Sequence, residues 1–216
     1  MKTSPLVFGL LACLPMPWAG RAADMWSFEF LGGAPYHFVT PLRIYQSGQP
    51  VIKVNARYNA KPFEVPRYYS VRIGAWSGNR AWEMELIHDK IYLKNRPPQV
   101  EEFSVSHGYN LLTVNRAWLL RKFVCRLGAG AVVAHPESTV RGKKIPEDRG
   151  LFNDGYYLSG PTVQTSLGRR IPLHPRLFLA AEVRLTASFA RMPVENGRAT
   201  VPTTAAHVLF GLGYNH

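Results

Sequence analysis

The stretch RLFLAAEVRLTASF, residues 176–189, decides the fold. Ala181, Val183, Leu185, Ala187 and Phe189 fall on one side of an extended chain, and Glu182, Arg184, Thr186 and Ser188 on the other. A strict period of two is the signature of a β-strand with one apolar and one polar face. Working outward, the same alternation recurs at 26–30 (Trp26, Phe28, Phe30), at 69–75 (Tyr69, Val71, Ile73) and at 82–92, where Trp82, Met84 and Leu86 oppose Glu83 and Glu85. It continues through 103–118, 123–135, 155–168 and 203–214, while the 3.6-residue period of a helix scarcely occurs. The sequence therefore predicts an all-β protein: an eight-stranded antiparallel up-and-down barrel.

The connections decide where the apolar faces point. Those at 77–80, 119–122 and 169–175 are short, whereas those at 35–67, 93–102, 136–154 and 190–202 are long. Short turns at one rim and long loops at the other are the arrangement of outer-membrane barrels, with short periplasmic turns and long extracellular loops. A soluble barrel of the lipocalin kind would bury the apolar faces; a membrane barrel turns them to lipid and fills its lumen with the polar ones. Most of the runs reach the 9–11 residues that a spanning strand needs. Trp26, Trp76, Trp82 and Trp118 near strand ends suit aromatic girdles. The chain's end, Phe210 to His216, departs from the terminal aromatic residue common in such barrels.

At 216 residues the chain is long enough for one substantial domain. With 46% hydrophobic and 19% charged residues it does not have the composition of a disordered basic tail, and no apolar run is long enough for a membrane helix. Residues 1–22 read as a secretory signal peptide: a basic start at Lys2, an apolar stretch over 5–16 and small residues at 20–22. The alternative is a lipoprotein box ending at Cys13. The barrel domain is then 23–216, and loss of Lys2 and Arg21 lowers the formal charge from +12 to +10. Cys13 and Cys125 make no disulfide framework.

Phosphate-loop, dinucleotide and nucleophile-elbow motifs are absent, as is any metal-spaced Cys/His cluster. What remains is a set of ionisable residues: Glu85, His88 and Asp89 on the third strand, His107 and Asn110 on the fourth, His135 after the fifth, and Glu182 and Arg184 on the seventh. Glu85, His88, Asp89, His107 and Glu182 are the candidate catalytic residues, because histidines beside carboxylates suit proton abstraction or metal ligation. Charge pairs of this kind also serve as structural plugs of barrel lumens. No particular metal or cofactor is implied.

Residues 66–76, 82–92 and 103–115 carry a resemblance. PRYYSVRIGAW, WEMELIHDKIY and FSVSHGYNLLTVN, continued by 128–136 and 157–161, resemble the family of outer-membrane β-barrels that includes the rhizobial lipid A oxidase. The resemblance implies a barrel in the cell outer membrane acting on the proximal glucosamine of lipid A, with oxygen as oxidant and an aminogluconate unit as product. The basic residues fit such a partner: Lys94 and Arg96, then Arg141, Lys143 and Lys144 in the loops, with Arg184, are the candidate ligand-binding set. Lipopolysaccharide is the phosphate-bearing surface at that rim; nucleic acid is not met there, and the chain is expected to be a monomer. Two alternatives stand beside this reading. One is a non-enzymatic structural or ligand-binding barrel. The other is a lipid A deacylase built on Ser104 or Ser106 with His107, which needs a bulge, because adjacent strand residues face opposite ways. A porin is disfavoured by the narrow lumen of eight strands.

Overall fold

A computed structural model describes residues 23–146, 148–151 and 153–216; the expected signal peptide lies outside the described residues. It contains thirteen strands: β1 (Met25–His37), β2 (Thr40–Gln46), β3 (Ile52–Ala56), β4 (Tyr58–Asn59), β5 (Tyr69–Ser77), β6 (Arg80–Leu93) and β7 (Val100–Leu120), then β8 (Phe123–Ala134), β9 (Glu137–Val140), β10 (Lys143–Lys144), β11 (Tyr157–Pro172), β12 (Leu177–Val194) and β13 (Gly197–Asn215). Eight of them close a ring in the order β1-β5-β6-β7-β8-β11-β12-β13, each antiparallel to its neighbours, with β13 returning to β1. The predicted eight-stranded antiparallel barrel is the fold observed. Five short strands belong to the long loops, not to the ring. No helix among the described residues is long and apolar enough to cross a membrane.

The wall is apolar on its outside. Phe30, Leu127, Val183, Leu185 and Phe210 are all more than half exposed, an arrangement that water would oppose and lipid favours. On β12 the outward apolar set runs from Leu177 to Phe189, about 30 Å of height for a strand tilted as membrane strands are. It ends abruptly at Arg191, which is exposed. The inward side of the same strand does the opposite: Glu182, Arg184, Thr186 and Ser188 give way to Ala190, Met192 and Val194, all buried. The polarity of both faces inverts where the outer bilayer edge falls.

The lumen is consequently filled in three tiers. At the periplasmic end Trp76, Ala81, Ala117 and Val124 pack together, and Arg170 lies between the rings of Trp76 and Phe178, 4.5 and 4.7 Å from their centroids. Trp76 therefore points inward, its Nε1 donating to Ser27 Oγ at 2.9 Å, and does not belong to the aromatic girdle that its place near a strand end suggested. In the middle, four carboxylates (Glu29, Glu83, Glu85, Glu182) meet four guanidinium groups (Arg72, Arg126, Arg170, Arg184). Gly128, inward on β8, leaves room for Asn115, whose Oδ1 lies 1.7 Å from where a Cβ would stand. Above the plug a hydrophobic core takes over, with Ile87, Ile91, Phe103, Val105, Leu111, Val132, Met192 and Val201 from the ring and Leu42, Ile44 and Ile52 from the β2–β3 hairpin folded over it.

The long connections are thus more ordered than their sequence suggested. The expected loop over 190–202 is a continuation of β12 and β13 as a hairpin, paired to Val194 and Gly197, and residues 197–200 beside its tip pair onward with β2. Despite Pro193, Asn196-Gly197 and Pro202 these residues still alternate between the two faces; only the polarity of each face has changed.

Candidate functional site

Glu85 and Glu182 belong to the plug. Glu85 accepts from Ser70 at 2.5 Å, Arg72 at 2.9 Å and Arg184 at 2.5 Å through one oxygen, and from Asn115 at 2.9 Å and Gln164 at 2.8 Å through the other. Glu182 accepts from Arg72, Arg126 and Arg184 at 2.6–3.1 Å. Both side chains are at most 2% exposed. Carboxylates so fully donated to have no lone pair pointed at a reactant, and Arg184, equally buried, is turned to these two glutamates instead of to any ligand at the rim.

Asp89 also points inward, 3.2 Å from His37 Nε2, just above the plug. His88, the neighbouring residue, points outward: its ring stacks on Tyr69 at 5.1 Å, Tyr69 stacks in turn on Phe30, and its Nδ1 meets Asn110 Oδ1 at 2.8 Å. Glu85, His88, Asp89 and His107, named together as candidates, therefore do not share one face. The pair Glu85 and Asp89 lies inside the wall, and His88 and His107 lie on its outside.

His107 owes its place to a break in the sheet. Between β6 and β7 the register runs from Asp89↔Tyr109 to Ile91↔Val105, so residues 106–108 stand opposite Lys90 alone. Gly108 takes φ +132°, a conformation that suits glycine, and the space where a Cβ would stand is occupied by the Asn110 amide. This bulge rotates Ser106 and His107 onto the same side, which regular alternation forbids. Ser106 Oγ donates to Glu137 Oε1 at 2.7 Å, His107 Nδ1 contacts the same oxygen, and Ser106 Oγ lies 3.1 Å from His107 Nδ1. His135 brings its Nδ1 to 3.8 Å from Glu137 Oε1, and its ring centroid lies 5.1 Å from that of His107.

Two backbone contacts hold the cluster. The His135 amide donates to the Gly108 carbonyl at 3.1 Å, and the Tyr156 hydroxyl donates to the His107 carbonyl at 3.1 Å while the Tyr156 ring stands edge-on to His135 at 5.0 Å. Burial, helped by Tyr69 and the Asp154 carboxylate, pushes the Tyr156 hydroxyl above the usual phenol range, so it stays a donor. Glu137 and Tyr156 were not singled out from sequence. The signal for Glu137 was available: in His135-Pro136-Glu137 the outer two residues share a face of an extended chain, and a glycine inside a strand, Gly108, marks a bulge.

The cluster is not a Ser–His–Glu relay. In such a relay serine and carboxylate bind opposite ring nitrogens of the histidine; here both sit at Nδ1, and serine gives its proton directly to the carboxylate. Of the basic candidates, Arg141 is engaged in the fold, donating to Gln46 Oε1 and to the Pro50 carbonyl at 2.8 Å each. Arg96 donates to the Glu101 carbonyl. Lys94, Lys143 and Lys144 are exposed on the outer rim, with Lys144 paired to Thr139, two residues from Glu137.

An antiparallel ring of eight strands, apolar outside, charged inside and with its loops gathered at one rim, defines an outer-membrane β-barrel. No family model matches the chain, and no curated protein does. Among solved structures it is similar to outer-membrane barrels, three of them as follows. Neisserial surface protein A is 10% identical, covering 90% of this chain and 99% of that one, with a TM-score of 0.43. Ail, the attachment invasion locus protein of Yersinia pestis, is 9% identical over 91% and 100%, with a TM-score of 0.40. The outer membrane protein AlkL, determined in lipid bilayers, is 15% identical over 94% and 95%, with a TM-score of 0.47.

Proposed function

We propose that this barrel binds lipid A of lipopolysaccharide on its outer wall in the cell outer membrane, and that the residues around His107 and Glu137 are the locus at which lipid A is modified. The observation that carries the reading is the position of the polar cluster. His88, His107, His135, Glu137, Ser106 and Tyr156 lie on the outside of β6, β7 and β9, next to the end of the apolar belt, where the sugar-phosphate head of an outer-leaflet lipid sits. Polar residues on that side have no lumen to line. The lumen itself is closed by its plug and its apolar cap, so a lipid reaches the protein only from the side. Lys143 and Lys144 stand above the cluster, at the level of phosphates.

The resemblance to the family of the rhizobial lipid A oxidase supplies the reaction to test: oxidation of the proximal glucosamine to an aminogluconate unit, with molecular oxygen as oxidant. Mass spectrometry of lipid A from cells with the gene, without it, and with His107→Ala decides the matter. An oxidation-type mass change that needs both the gene and His107 supports the reading. Loss of an acyl chain assigns a deacylase instead. Unchanged lipid A, with the folded protein present in the outer membrane, leaves a structural or ligand-binding barrel.

A further inference from the structure

We propose that His107, His135 and Glu137 form a binding site for a divalent first-row transition metal ion, with zinc the reference ion, on the outer wall of the barrel. The inference stands on the geometry of these three side chains and not on the lipid A reading.

Each of the three offers one ligand atom, and those atoms lie within 4.8 Å of one another. Ligands around a tetrahedral zinc, at metal distances of about 2.0–2.1 Å, are roughly 3.4 Å apart. The observed spread closes to that value by small side-chain rotations, and the side chain that must move most freely, His107, is 64% exposed. Two imidazole nitrogens with one carboxylate oxygen form a donor set for zinc, cobalt, nickel or copper, and a poor one for calcium or magnesium, which take oxygen ligands. Three protein ligands leave a position open, the pattern of zinc sites that bind a further oxygen ligand rather than serve the fold alone.

The surroundings are those of a prepared site. The bulge at 106–108 turns His107 outward, and the His135 amide is fixed on Gly108. Tyr156 clamps the His107 carbonyl and flanks the His135 ring. Ser106 donates to the glutamate oxygen, and Ser104 Oγ lies 3.4 Å from the other oxygen. Hydrogen bonds from outside the ligand set orient ligating groups in this way. Neither Glu137 oxygen is used by an arginine, in contrast with every glutamate of the plug. His107, with its side chain 64% exposed, leaves the cluster accessible to a further oxygen ligand from outside.

The test uses the untagged mature barrel, refolded in detergent micelles and shown to be folded by its heat-dependent shift on a gel. Zinc is titrated against a chromophoric competitor, and cobalt is then used for its visible ligand-field bands. One zinc bound per chain is expected, with imidazole nitrogen in its X-ray absorption spectrum. His107→Ala and Glu137→Gln should each weaken binding by more than about tenfold, since even residues that only orient ligands contribute that much. His174→Ala, in a periplasmic turn, should leave it unchanged. Because His107 is exposed, its variant tests the site even if His135→Ala does not fold. The proposal is overturned if the folded wild type binds no stoichiometric zinc, or if it binds zinc that His107→Ala and Glu137→Gln leave equally tight. Either result is independent of whether lipid A changes in cells.

Discussion

Replacing Glu182 by glutamine removes one negative charge from the centre of the plug and leaves the side-chain volume almost unchanged. Glu182 is the carboxylate on which Arg72, Arg126 and Arg184 converge, at 2.6–3.1 Å. After the change four buried guanidinium groups face three carboxylates, and the new amide turns N–H groups toward donors. Leaving a charge uncompensated inside a protein costs about 3–5 kcal/mol. That is at least of the same size as the penalty for Val183→Arg on the lipid face, about 2–4 kcal/mol at mid-membrane, the two ranges overlapping. The ranking is not obvious from sequence, where Glu182→Gln looks the milder change. Only the convergence of three arginines on one carboxylate makes it severe. The assay is reversible urea unfolding in phospholipid vesicles followed by tryptophan fluorescence, for each single variant and for Glu182→Gln with Arg184→Gln. The double variant restores the balance at three against three and should recover at least about 1 kcal/mol relative to the sum of the singles. A Glu182→Gln cost below about 1 kcal/mol, or strict additivity in the double variant, would refute the account of the plug as a balanced ionic network.

Two further changes probe the outer half. Gly108→Ala forces a Cβ into the space of the Asn110 amide at a φ of +132°; a cost of about 1–3 kcal/mol is expected, read as a lower urea midpoint, with restoration of a regular register as the contrary result. Arg141→Ala unties the β2–β3 hairpin from β9 and β10 by removing its bonds to Gln46 and Pro50. Limited proteolysis should then nick the turn at 47–50 several-fold faster, while the heat-dependent gel shift of the barrel is unchanged.

The barrel was legible because its evidence is periodic. Residues 181–189 alternate without a fault, and a polar-in, apolar-out reading followed from the unequal loops. The closed upper core was less legible for a physical reason. Along β12 the register never breaks between Glu182 and Val194, yet the inward residues turn from charged to apolar and the outward ones from apolar to polar. A reader who expects one polarity per face ends the strand at Phe189, as the loop assignment over 190–202 did. Trp76 shows the same limit: its place near a strand end suggested an interface, and only its parity with Arg72 and Gly74 reveals that it faces inward. Of the site, His88, His107 and His135 were named from sequence. Glu137, the partner of His107 and His135, was not, because it reaches His107 through a loop strand that pairs with β7, which spacing along β7 does not report. Asp89 and His107 lie on neighbouring strands, and hairpin adjacency fixes nearness in the sheet plane but not the face.

The bulge at 106–108 is the feature that separates this barrel from one built only to span a bilayer. A ring of eight strands with a satisfied lumen needs no irregularity there: the register that pairs Arg80 with Trp118 could run on without a break to Leu93 opposite Val105. Instead three residues face one, a glycine is held at positive φ, and a serine and a histidine are put side by side on the exposed wall. The interior gains nothing by this, since the side chains that the bulge redirects point away from it. The exterior gains a histidine at the height where membrane gives way to water, opposite a second histidine and a glutamate brought in by the next loop. Lipid tails do not select polar side chains at such a position, and a purely structural contact there does not require two imidazoles around one carboxylate. The distortion is therefore accounted for by what the outer wall holds, and Gly108→Ala and His107→Ala divide the question cleanly. The first strains the backbone that presents His107 and the second removes only the side chain, so weakened zinc binding in both, with the larger stability cost in the first, is the outcome that this explanation requires.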